Sequence, residues 1–380
     1  MVSPLRDQPG TAAEVLGLDI GGANLKAATS KGLARSVAWP LWRDPAGLAW
    51  QLGHLLRDFP IISRVALTMT AELCDCFPDK ASGVRHVLHA VRQALPQAEI
   101  AVWTHEDCFV SLETAAEAPL SAAAANWRAL AYLVADRIIP LWTSKTGSPP
   151  KPYAKEEHTA ASSTPRMRTS ASWQLLLDIG STTTDLVPLQ AGRPATPCRT
   201  DWERLQRGEL LYLGARRTPL CMLAASVSWQ GHSLFTAAEF FADVYDAFLI
   251  LGLVPERPDY GMTADGRPGT RSAARQRLAR MFCADADEVS DDALLALART
   301  ALNTWQSRFT QVWQAQVERF GSAPDCVILA GEGEWLARHC LAAMHYHGFI
   351  LSLNDLLGCA LSQCACAYAV AWLLASRDQV

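Results

Sequence analysis

Two short stretches of the chain end an apolar run with an aspartate, a glycine and then small or hydroxyl side chains. One is "LLLDIGSTTTDLVPL", residues 175–189, and the other is "VLGLDIGGANLKAAT", residues 15–29. In each stretch the aspartate and the glycine follow a strand-like segment. The repetition predicts two related lobes, each of which opens with a strand and a phosphate-binding loop.

These residue types suit the binding of a phosphate or diphosphate. Glycine lets the backbone approach a ligand closely, so that successive N–H groups converge on anionic oxygens, and hydroxyl groups add donors without bulk. Lys26 would supply a point charge, and an aspartate at a strand end can hold Mg²⁺ directly or through water. The candidate loop residues are Gly21, Gly22, Asn24, Gly180, Ser181, Thr182 and Thr183, and the candidate metal ligands are Asp19, Asp178 and Asp185.

A third stretch, "LAGEGEWLA" at residues 329–337, also has the composition of a strand-to-helix turn. Its glycines, Gly331 and Gly333, could admit an adenosine or the edge of a substrate, and Glu332 or Glu334 could hydrogen-bond it. Two glycine loops and this third turn form a more specific pattern than a single loop would, because turns commonly contain Asp and Gly for structural reasons.

Further charged and hydroxyl residues stand where they would open into the same cleft. One group follows the strand-like run "RVALTMT", and another lies in "RLQRGELLYLGARRTP", whose arginines suit a diphosphate or a carboxylate. The candidate substrate-binding residues are Thr70, Asp75, Lys80, Arg204, Glu209 and Arg217.

The rest of the pattern indicates the elements that position these residues. Strand-like runs occur at "VLGLDI", "RVALTMT", "EIAVWT", "WQLLLDIG" and "DCVILAGEG", and helical spacing at "GVRHVLHAVRQAL", around Thr236 to Leu251 and from Asp291 to Phe320. Alternating strands and helices predict an α/β fold with mixed sheets flanked by helices.

Composition predicts the domain boundaries. Residues 143–172 are rich in Lys and Pro and poor in large apolar side chains, which is typical of a flexible linker or insertion. We therefore expect a flexible tail at residues 1–13, an N-terminal lobe at 14–142 and a C-terminal lobe at 173–380.

The overall composition excludes some classes of partner and location. A net charge of −4 and an isoelectric point near 6.1 argue against nucleic-acid binding. The eleven cysteines come without a secretory signal pattern, which predicts a reducing cytoplasm. We expect Cys74, Cys76, Cys359, Cys364 and Cys366 to be small buried side chains rather than metal ligands. The apolar segment 356–375 predicts a buried C-terminal helix, with a membrane anchor as the alternative.

The order DIGG, DIGSTTTD and AGEGE resembles the actin-like ATPase superfamily, and "LLLDIGSTTTDLVPL" resembles its hydantoinase/oxoprolinase branch. "VALTMTAELCDCFPDKASGVRHVL", "AAAANWRALA", "TDWERLQRGELLYLGARRTPL" and "MTADGRPGTRSAARQRLARMFCAD" resemble a subgroup attached to tetrahydromethanopterin-linked one-carbon metabolism. The resemblance covers almost the whole chain except the N-terminal tail and residues 143–172. It implies a two-lobed actin-like ATPase (RNase H-like) fold.

The resemblance also implies a reaction. A transferase of this subgroup joins an aminomethylfuran methyl diphosphate to the phenol oxygen of a γ-glutamyl-tyramine or tyrosine and releases diphosphate, in the biosynthesis of a methanofuran-type cofactor. Asp19, Lys26 and Asp178 with Mg²⁺ would stabilise the leaving diphosphate, and Asp201 or Glu72 would take the phenol proton. ATP is a possible further ligand.

Two alternatives remain at this point. One is an ATP-dependent small-molecule kinase or a hydantoinase-like amidohydrolase of the same fold, although the first loop, Gly21 to Asn24, lacks the hydroxyl that kinases of the superfamily usually have there. The other is a nucleotide-binding regulatory protein. All three predict small-molecule ligands without a nucleic acid or membrane partner, and the sequence leaves the oligomeric state open.

Overall fold

The computed structural model describes residues 14–146 and 172–377, which form two lobes around mixed sheets. The strands of the first lobe are β1 Val15–Ile20, β2 Asn24–Thr29, β3 Ala34–Ala38, β4 Arg64–Met69, β5 Glu99–Trp103 and β6 Phe109–Ser111. Those of the second lobe are β7 Gln174–Ile179, β8 Thr184–Gln190, β9 Arg193–Pro194, β10 Leu210–Leu211, β11 Ser226–Trp229, β12 His232–Phe235, β13 Cys326–Ala330 and β14 Phe349–Ser352.

Helices connect and cover these strands. In the first part they are α1 Leu48–Leu55, α2 Lys80–Ala94, α3 Leu112–Glu117, α4 Asn126–Leu133 and α5 Ile139–Thr146, with a π-helical segment, Val134–Ile138, between the last two. In the second part they are α6 Asp201–Arg207, α7 Val244–Ile250, α8 Arg271–Arg280, α9 Asp291–Phe320, α10 Glu334–Ala343, α11 Leu353–Leu357, α12 Cys359–Gln363 and α13 Ala365–Arg377.

The two main sheets share one topology. The first has the strand order β3-β2-β1-β4-β5-β6, and the second has the order β10-β8-β7-β13-β14 with β9 beside β8. Each begins with an antiparallel hairpin, β1 with β2 or β7 with β8, and continues through two parallel strands, β4 and β5 or β13 and β14. This duplicated arrangement is that of the actin-like ATPase fold, so the predicted fold class is confirmed.

The core follows from the alternation of side chains along each strand. Leu16, Leu18 and Ile20 of β1 pack with α1 and α2 on the outer face of the first sheet. Leu175 and Leu177 of β7 pack with α7, α9 and α10 on the outer face of the second. Helices α4 and α13 cover the two inner faces, so these two helices form a layer between the sheets.

Helix α13 lies very close to the first sheet. A Cβ atom on Gly17 of β1 would stand 1.9 Å from the carbonyl oxygen of Ala367. Residues 365–375 of this helix are buried except for the half-buried Trp372, as expected for the C-terminal apolar segment, but the preceding residues form the separate short helices α11 and α12. No helix within residues 14–146 and 172–377 has the length and apolar character needed to cross a membrane.

Several sequence predictions differ from the structure in detail. The helix expected around Thr236 to Leu251 is confined to α7, because Asp243 caps its start in a reciprocal capping box with Asp246. Residues 143–146 of the predicted linker belong to α5. The remainder of that linker up to residue 171, the tail at residues 1–13 and residues 378–380 lie outside the described residues, and the predicted domain boundaries stay predictions.

The five cysteines considered together have different environments. Cys364 and Cys366 are buried, as predicted, and Cys74 and Cys76 are half-buried. Cys359 is exposed, which contradicts the prediction, because it is the first residue of α12 after the bend at Gly358.

Candidate functional site

Strand register brings the predicted acidic residues to equivalent places in the two lobes. In the first hairpin Asp19 lies directly across from Lys26, and in the second Asp178 lies directly across from Asp185. Every second residue of a strand points to the same face of the sheet. Asp19 therefore shares a face with Val15 and Gly17, and Asp178 shares a face with Leu176. Val15 and Leu176 pack in the core between the sheets, so both aspartates belong to the inner faces of their sheets. The fold therefore directs both carboxylates toward the space between the lobes.

The two glycine loops also close in the same way. The N–H of Gly21 donates to the carbonyl of Asn24 at 3.0 Å, and the N–H of Gly180 donates to the carbonyl of Thr183 at 2.9 Å. Gly214 supports the second loop, since a Cβ atom there would stand 2.3 Å from the Ser181 carbonyl oxygen. The segment after β10 can thus lie directly against that loop.

Both loops line one cleft between the lobes, with a volume of about 1170 Å³. Most of the predicted site residues line it: Gly21, Gly22, Asn24, Lys26, Thr70, Glu72, Asp75, Asp178, Gly180, Ser181, Thr182, Thr183, Asp185, Asp201, Arg204, Arg217, Gly331 and Glu334. The pairing of loops that the sequence repetition predicts is therefore present.

Lys26 and Asp19 form an ion pair at the inner end of the cleft. The Lys26 Nζ atom lies 3.9 Å from Oδ2 of Asp19. Burial raises the pKa of Asp19, and Lys26 opposes that rise. Burial also disfavours the Lys26 ammonium, but Asp19, with smaller contributions from Cys366 and Asp178, raises the pKa of Lys26 above its usual value. Lys26 is therefore a permanent positive charge beside two of the three predicted metal ligands, Asp19 and Asp178.

The surroundings of Asp178 favour its neutral form. Burial raises its pKa to about 7, and the neighbouring Asp185 carboxylate adds to that rise. A like charge directly across a hairpin disfavours the ionised form of Asp178. A cation bound beside Asp178 would favour its ionised form.

Arg204 compensates part of this negative charge. Its Nη2 atom lies 2.6 Å from Oδ1 of Asp185, and its Nη1 atom lies 3.4 Å from Oδ1 of Asp201. The guanidinium also stacks on the Trp127 ring at 4.3 Å and donates to the Glu209 carbonyl. Only 1% of Arg204 is exposed, and its guanidinium is paired with Asp185 and Asp201, so it positions these two carboxylates; that it also binds substrate stays a prediction.

Glu72 presents a buried carboxylate to the cleft. Glu72 is 2% exposed, and its Oε2 atom has no hydrogen-bond partner within the described parts of the chain. Burial raises the pKa of Glu72 to about 8, and the Asp201 carboxylate contributes to the rise. Burial also raises the pKa of Asp201, but Arg204 opposes that rise. Of the two predicted bases, only Asp201 has an ion-pair partner among the residues that the structure describes.

The residues present fit a magnesium ion. Mg²⁺ is usually bound by one or two carboxylates together with substrate phosphates and water. Asp178 lines the cleft, and Oδ1 of Asp19 is buried without a hydrogen-bond partner among the residues described. Asp185 fits less well, because Arg204 already pairs with it. Within residues 14–146 and 172–377, no cluster of three or more His, Cys, Asp or Glu side chains forms a complete metal site.

Four predicted site residues lie outside the cleft lining: Asp19, which pairs with Lys26, and Glu209, Lys80 and Gly333. Glu209 is 1% exposed and accepts hydrogen bonds from Thr196, Arg207 and Arg319, which anchor it inside the second lobe. Lys80 is the first residue of α2 and does not line the cleft. Gly333 also lies outside the lining, and a Cβ atom there would stand 2.3 Å from Cγ2 of Ile179, so this glycine serves packing.

The third glycine turn contacts the site through Gly331. This residue has φ of +83°, and a Cβ atom there would stand 2.3 Å from Oδ1 of Asp178. Glu334 lines the cleft but is already paired, since it accepts from Arg338 and from the Ser352 hydroxyl. Glu332 accepts from Nε of Arg216 at 2.6 Å. Gly331 thus shapes the Asp178 environment, and the two glutamates organise neighbouring arginines.

Sequence reasoning missed an aromatic part of the cleft. Trp42, Tyr245, Tyr260 and Trp335 line it together with Tyr212. The Arg216 guanidinium lies over both Tyr245 and Tyr260, at 4.7 and 4.8 Å from the ring centroids. One signal for Trp42 was available, namely that it closely follows β3, the strand that pairs with the first hairpin.

The chain is similar to one protein family and to two named relatives. The family model for hydantoinase/oxoprolinase matches residues 160–373. The chain is 29% identical, over 95% of its length and 97% of the relative's, to the (4-{4-[2-(gamma-L-glutamylamino)ethyl]phenoxymethyl}furan-2-yl)methanamine synthase of Methanocaldococcus jannaschii. A synthase of the same name from Methanococcus vannielii is 29% identical over 53% of this chain and 90% of the relative.

A likeness to solved structures is weaker. The activator of the 2-hydroxyisocaproyl-CoA dehydratase from Clostridium difficile, with bound ADPNP, matches 96% of this chain and 97% of its own with 12% identity and a TM-score of 0.42. At that level of similarity it adds nothing to the topology described above.

Proposed function

The chain belongs to the hydantoinase/oxoprolinase family, and on this premise we propose that it is an enzyme that joins a furan-methyl carbon to a phenol oxygen with release of diphosphate. The donor is an aminomethylfuran methyl diphosphate, and the acceptor is a γ-glutamyl-tyramine or the corresponding tyrosine. The reaction serves the assembly of a methanofuran-type cofactor, and both substrates are small molecules.

The relative's name supports this reaction. It describes a phenoxymethyl link between a phenyl ring that carries a γ-glutamylaminoethyl group and a furan that carries a methanamine. Such an ether forms when a phenol oxygen displaces a leaving group at the furan-methyl carbon. The match extends over 95% of this chain, so the cleft lies within the compared region.

A single observation carries the proposal: the two glycine loops, Lys26 and the unpaired Glu72 carboxylate line one cleft. Loops with a fixed cation beside them suit an anionic leaving group, because such groups stabilise charge as it develops. A carboxylate whose pKa is raised to about 8 suits removal of a proton from a phenol, whose own pKa is near 10 in water.

The bonds change as follows. The carbon–oxygen bond between the furan-methyl carbon and the diphosphate breaks, and its electron pair leaves with the diphosphate. A carbon–oxygen bond forms between that carbon and the phenol oxygen, while the phenol proton passes to Glu72. The furan ring spreads the positive charge that develops on its methyl carbon, so the barrier depends mainly on stabilisation of the leaving group.

The protein's own groups divide these tasks. Lys26 and the loops after β1 and β7 bind the diphosphate, and Asp19 fixes the Lys26 ammonium. Arg204 holds Asp201 and Asp185 in place beside Glu72 and Asp178. A magnesium ion at Asp178 and Asp19 would neutralise part of the diphosphate charge when bound.

The test is product analysis with purified full-length protein, Mg²⁺, a furanmethyl diphosphate and γ-glutamyl-tyramine. We expect the ether by mass spectrometry, equimolar pyrophosphate, and transfer of an ¹⁸O label from the donor's bridging oxygen into pyrophosphate. A reaction without the acceptor separates transfer from simple hydrolysis. ADP formed from added ATP, without pyrophosphate, would favour a kinase or amidohydrolase instead, and no product of either kind would favour a regulatory protein.

A further inference from the structure

Arg217 and Trp42 meet across the cleft from opposite lobes. The Arg217 guanidinium carbon lies 4.2 Å from the centroid of the Trp42 ring. Trp42 follows β3 in the first lobe, and Arg217 follows β10 in the second. Both side chains line the cleft that the glycine loops form.

Each partner is attached to one of the glycine loops. The N–H of Leu41, the neighbour of Trp42, donates to the Gly22 carbonyl at 2.9 Å. The N–H of Arg217 donates to the Ser181 carbonyl at 2.8 Å. The position of the Arg217 guanidinium is therefore fixed relative to both loops, and hence relative to the diphosphate that they are proposed to bind.

Arg217 differs from the other arginines of the cleft in its charge partners. Arg204 pairs with Asp185, Arg216 with Glu332, Arg257 with Asp259 and Arg338 with Glu334, at distances between 2.6 and 3.2 Å. In the described residues no carboxylate pairs with Arg217. Stacking on Trp42 occupies the flat face of the guanidinium and leaves its N–H edge for a planar anion.

The position of Arg217 favours the acceptor over the donor. Lys26 lies beside Asp19 and Asp178, which defines the diphosphate end. Arg217, Tyr212 and Glu72 all line the cleft. Burial raises the pKa of Tyr212, Arg217 lowers it, and Glu72 raises it. The guanidinium therefore shares the Tyr212 part of the cleft with Glu72, the residue proposed to take the phenol proton.

We propose that Arg217, positioned by Trp42, binds the α-carboxylate of the γ-glutamyl group and so selects glutamylated phenols as acceptors. This inference rests on the proposed function. A carboxylate and a guanidinium form two parallel charge-assisted hydrogen bonds, a geometry that Lys cannot reproduce. Lys26 and the glycine loops bind the other anionic group of the substrates, the diphosphate.

The experiment compares γ-glutamyl-tyramine with N-acetyltyramine, which keeps the phenol and the amide but lacks the glutamyl carboxylate. In the unmodified protein we expect KM for N-acetyltyramine to be about 10- to 100-fold higher, the range for one charged hydrogen-bonding pair. Arg217→Gln should raise KM for γ-glutamyl-tyramine to the value for N-acetyltyramine and leave KM for the diphosphate unchanged. Trp42→Ala should have a smaller effect in the same direction, and Trp42→Phe should restore part of it.

Arg43→Gln is the matched control, since Arg43 is exposed, adjoins Trp42 and does not line the cleft. It should keep the preference for the glutamylated acceptor. Unchanged turnover of N-acetyltyramine by Arg217→Gln would show that the variant is folded. An equal rise in KM for both acceptors, or a rise for the diphosphate instead, would overturn the inference.

Calorimetry separates this inference from the proposed reaction. Binding of γ-glutamyl-tyramine to the unmodified protein should be about 10- to 100-fold tighter than to Arg217→Gln whether or not turnover occurs. Arg217-dependent binding without any ether product would contradict the reaction alone. Ether formation with binding that is the same in both proteins would contradict the role of Arg217 alone.

Discussion

Nη2 of Arg204 lies 2.6 Å from Oδ1 of Asp185, so the carboxylate at the end of the second glycine loop faces a buried arginine. The same guanidinium contacts Asp201 and the Trp127 ring from the other lobe. Asp185 and Asp178 occupy directly opposed strand positions, yet only Asp185 has an arginine partner. The two aspartates therefore have different roles.

Substitution of these aspartates should separate stability from metal dependence. Asp185→Asn leaves Arg204 buried with a weaker partner and should lower the free energy of unfolding by about 3 kcal/mol, the low end for a broken buried pair because Asp201 remains. Asp178→Asn should keep or raise that free energy but abolish the stimulation of activity by Mg²⁺. Urea unfolding and Mg²⁺ titration after removal of metal by a chelator measure the two effects. Equal loss of Mg²⁺ stimulation in both variants would contradict the assignment.

Glu72 should control the pH dependence of the rate. Its pKa is raised to about 8, so the carboxylate form that accepts a proton increases as the pH rises through that value. We expect kcat/KM to rise between pH 7 and 9 in the unmodified protein, and Glu72→Gln to lower it by about 100-fold and remove the rise. Asp201→Asn is the comparison: it should lower the rate and keep the rise with pH, shifted to lower pH because the Asp201 carboxylate contributes to the raised pKa of Glu72. A profile that persists in Glu72→Gln would exclude Glu72 as the base.

The same carboxyl group makes stability depend on pH. Its pKa in the folded protein lies above the unfolded value near 4.5, so its contribution to stability is complete below pH 4.5 and is lost as the pH rises through about 8.

Lys26 should act on the diphosphate rather than on the fold. Lys26→Met removes the cation next to Asp19 and should lower kcat/KM for the diphosphate donor by about 100- to 1000-fold, as is typical for loss of one group that stabilises a leaving anion. The control is Lys31→Met, because Lys31 lies in the turn after β2 and pairs with Glu14 at the surface. Steady-state kinetics with varied diphosphate measure the difference. Similar losses in both variants would indicate a general charge effect.

Gly331 should be needed for the position of Asp178. Gly331→Ala introduces a Cβ atom 2.3 Å from Oδ1 of Asp178 at a φ of +83°, whereas Gly192→Ala has a φ of +70° with no atom within 4 Å. Both substitutions should cost about 1–2 kcal/mol of backbone strain. Only Gly331→Ala should also lower kcat/KM, by about 100-fold, because Asp178 must move. Thermal unfolding and kinetics of the pair isolate this contact, and an equally inactive Gly192→Ala would refute it.

Much of the architecture was predictable because the relevant signals are local. Apolar alternation indicated β1, β4, β7 and β13, and the helical spacing from Asp291 to Phe320 matches α9. The two glycine loops were also predictable, since each is marked in the sequence by the end of a strand and a glycine. A further signal was present in the sequence: Asp19 precedes Lys26, and Asp178 precedes Asp185, by the same seven residues, which is the register of each hairpin.

The features of the site that the sequence did not predict are interactions between distant segments. Arg204 and Glu209 have charges that suit ligand binding in sequence, but tertiary packing buries both and supplies their partners from β8, α6 and α9. The Trp42 and Arg217 contact joins the two lobes, so no local pattern predicts it. Gly333 has the composition of a ligand loop, yet close approach to Ile179 explains it.

The contact of Gly17 with Ala367 has a consequence for synthesis of the protein. The strand that carries Gly17 leaves the ribosome before the helix that covers its inner face, which is made about 350 residues later. Until that helix emerges, a nascent first lobe exposes the inner faces of β1, β2 and β4 to chaperones and proteases. Stalled chains of increasing length should therefore become protease-resistant in this lobe only once residues 365–377 have cleared the exit tunnel, and earlier resistance would contradict this order.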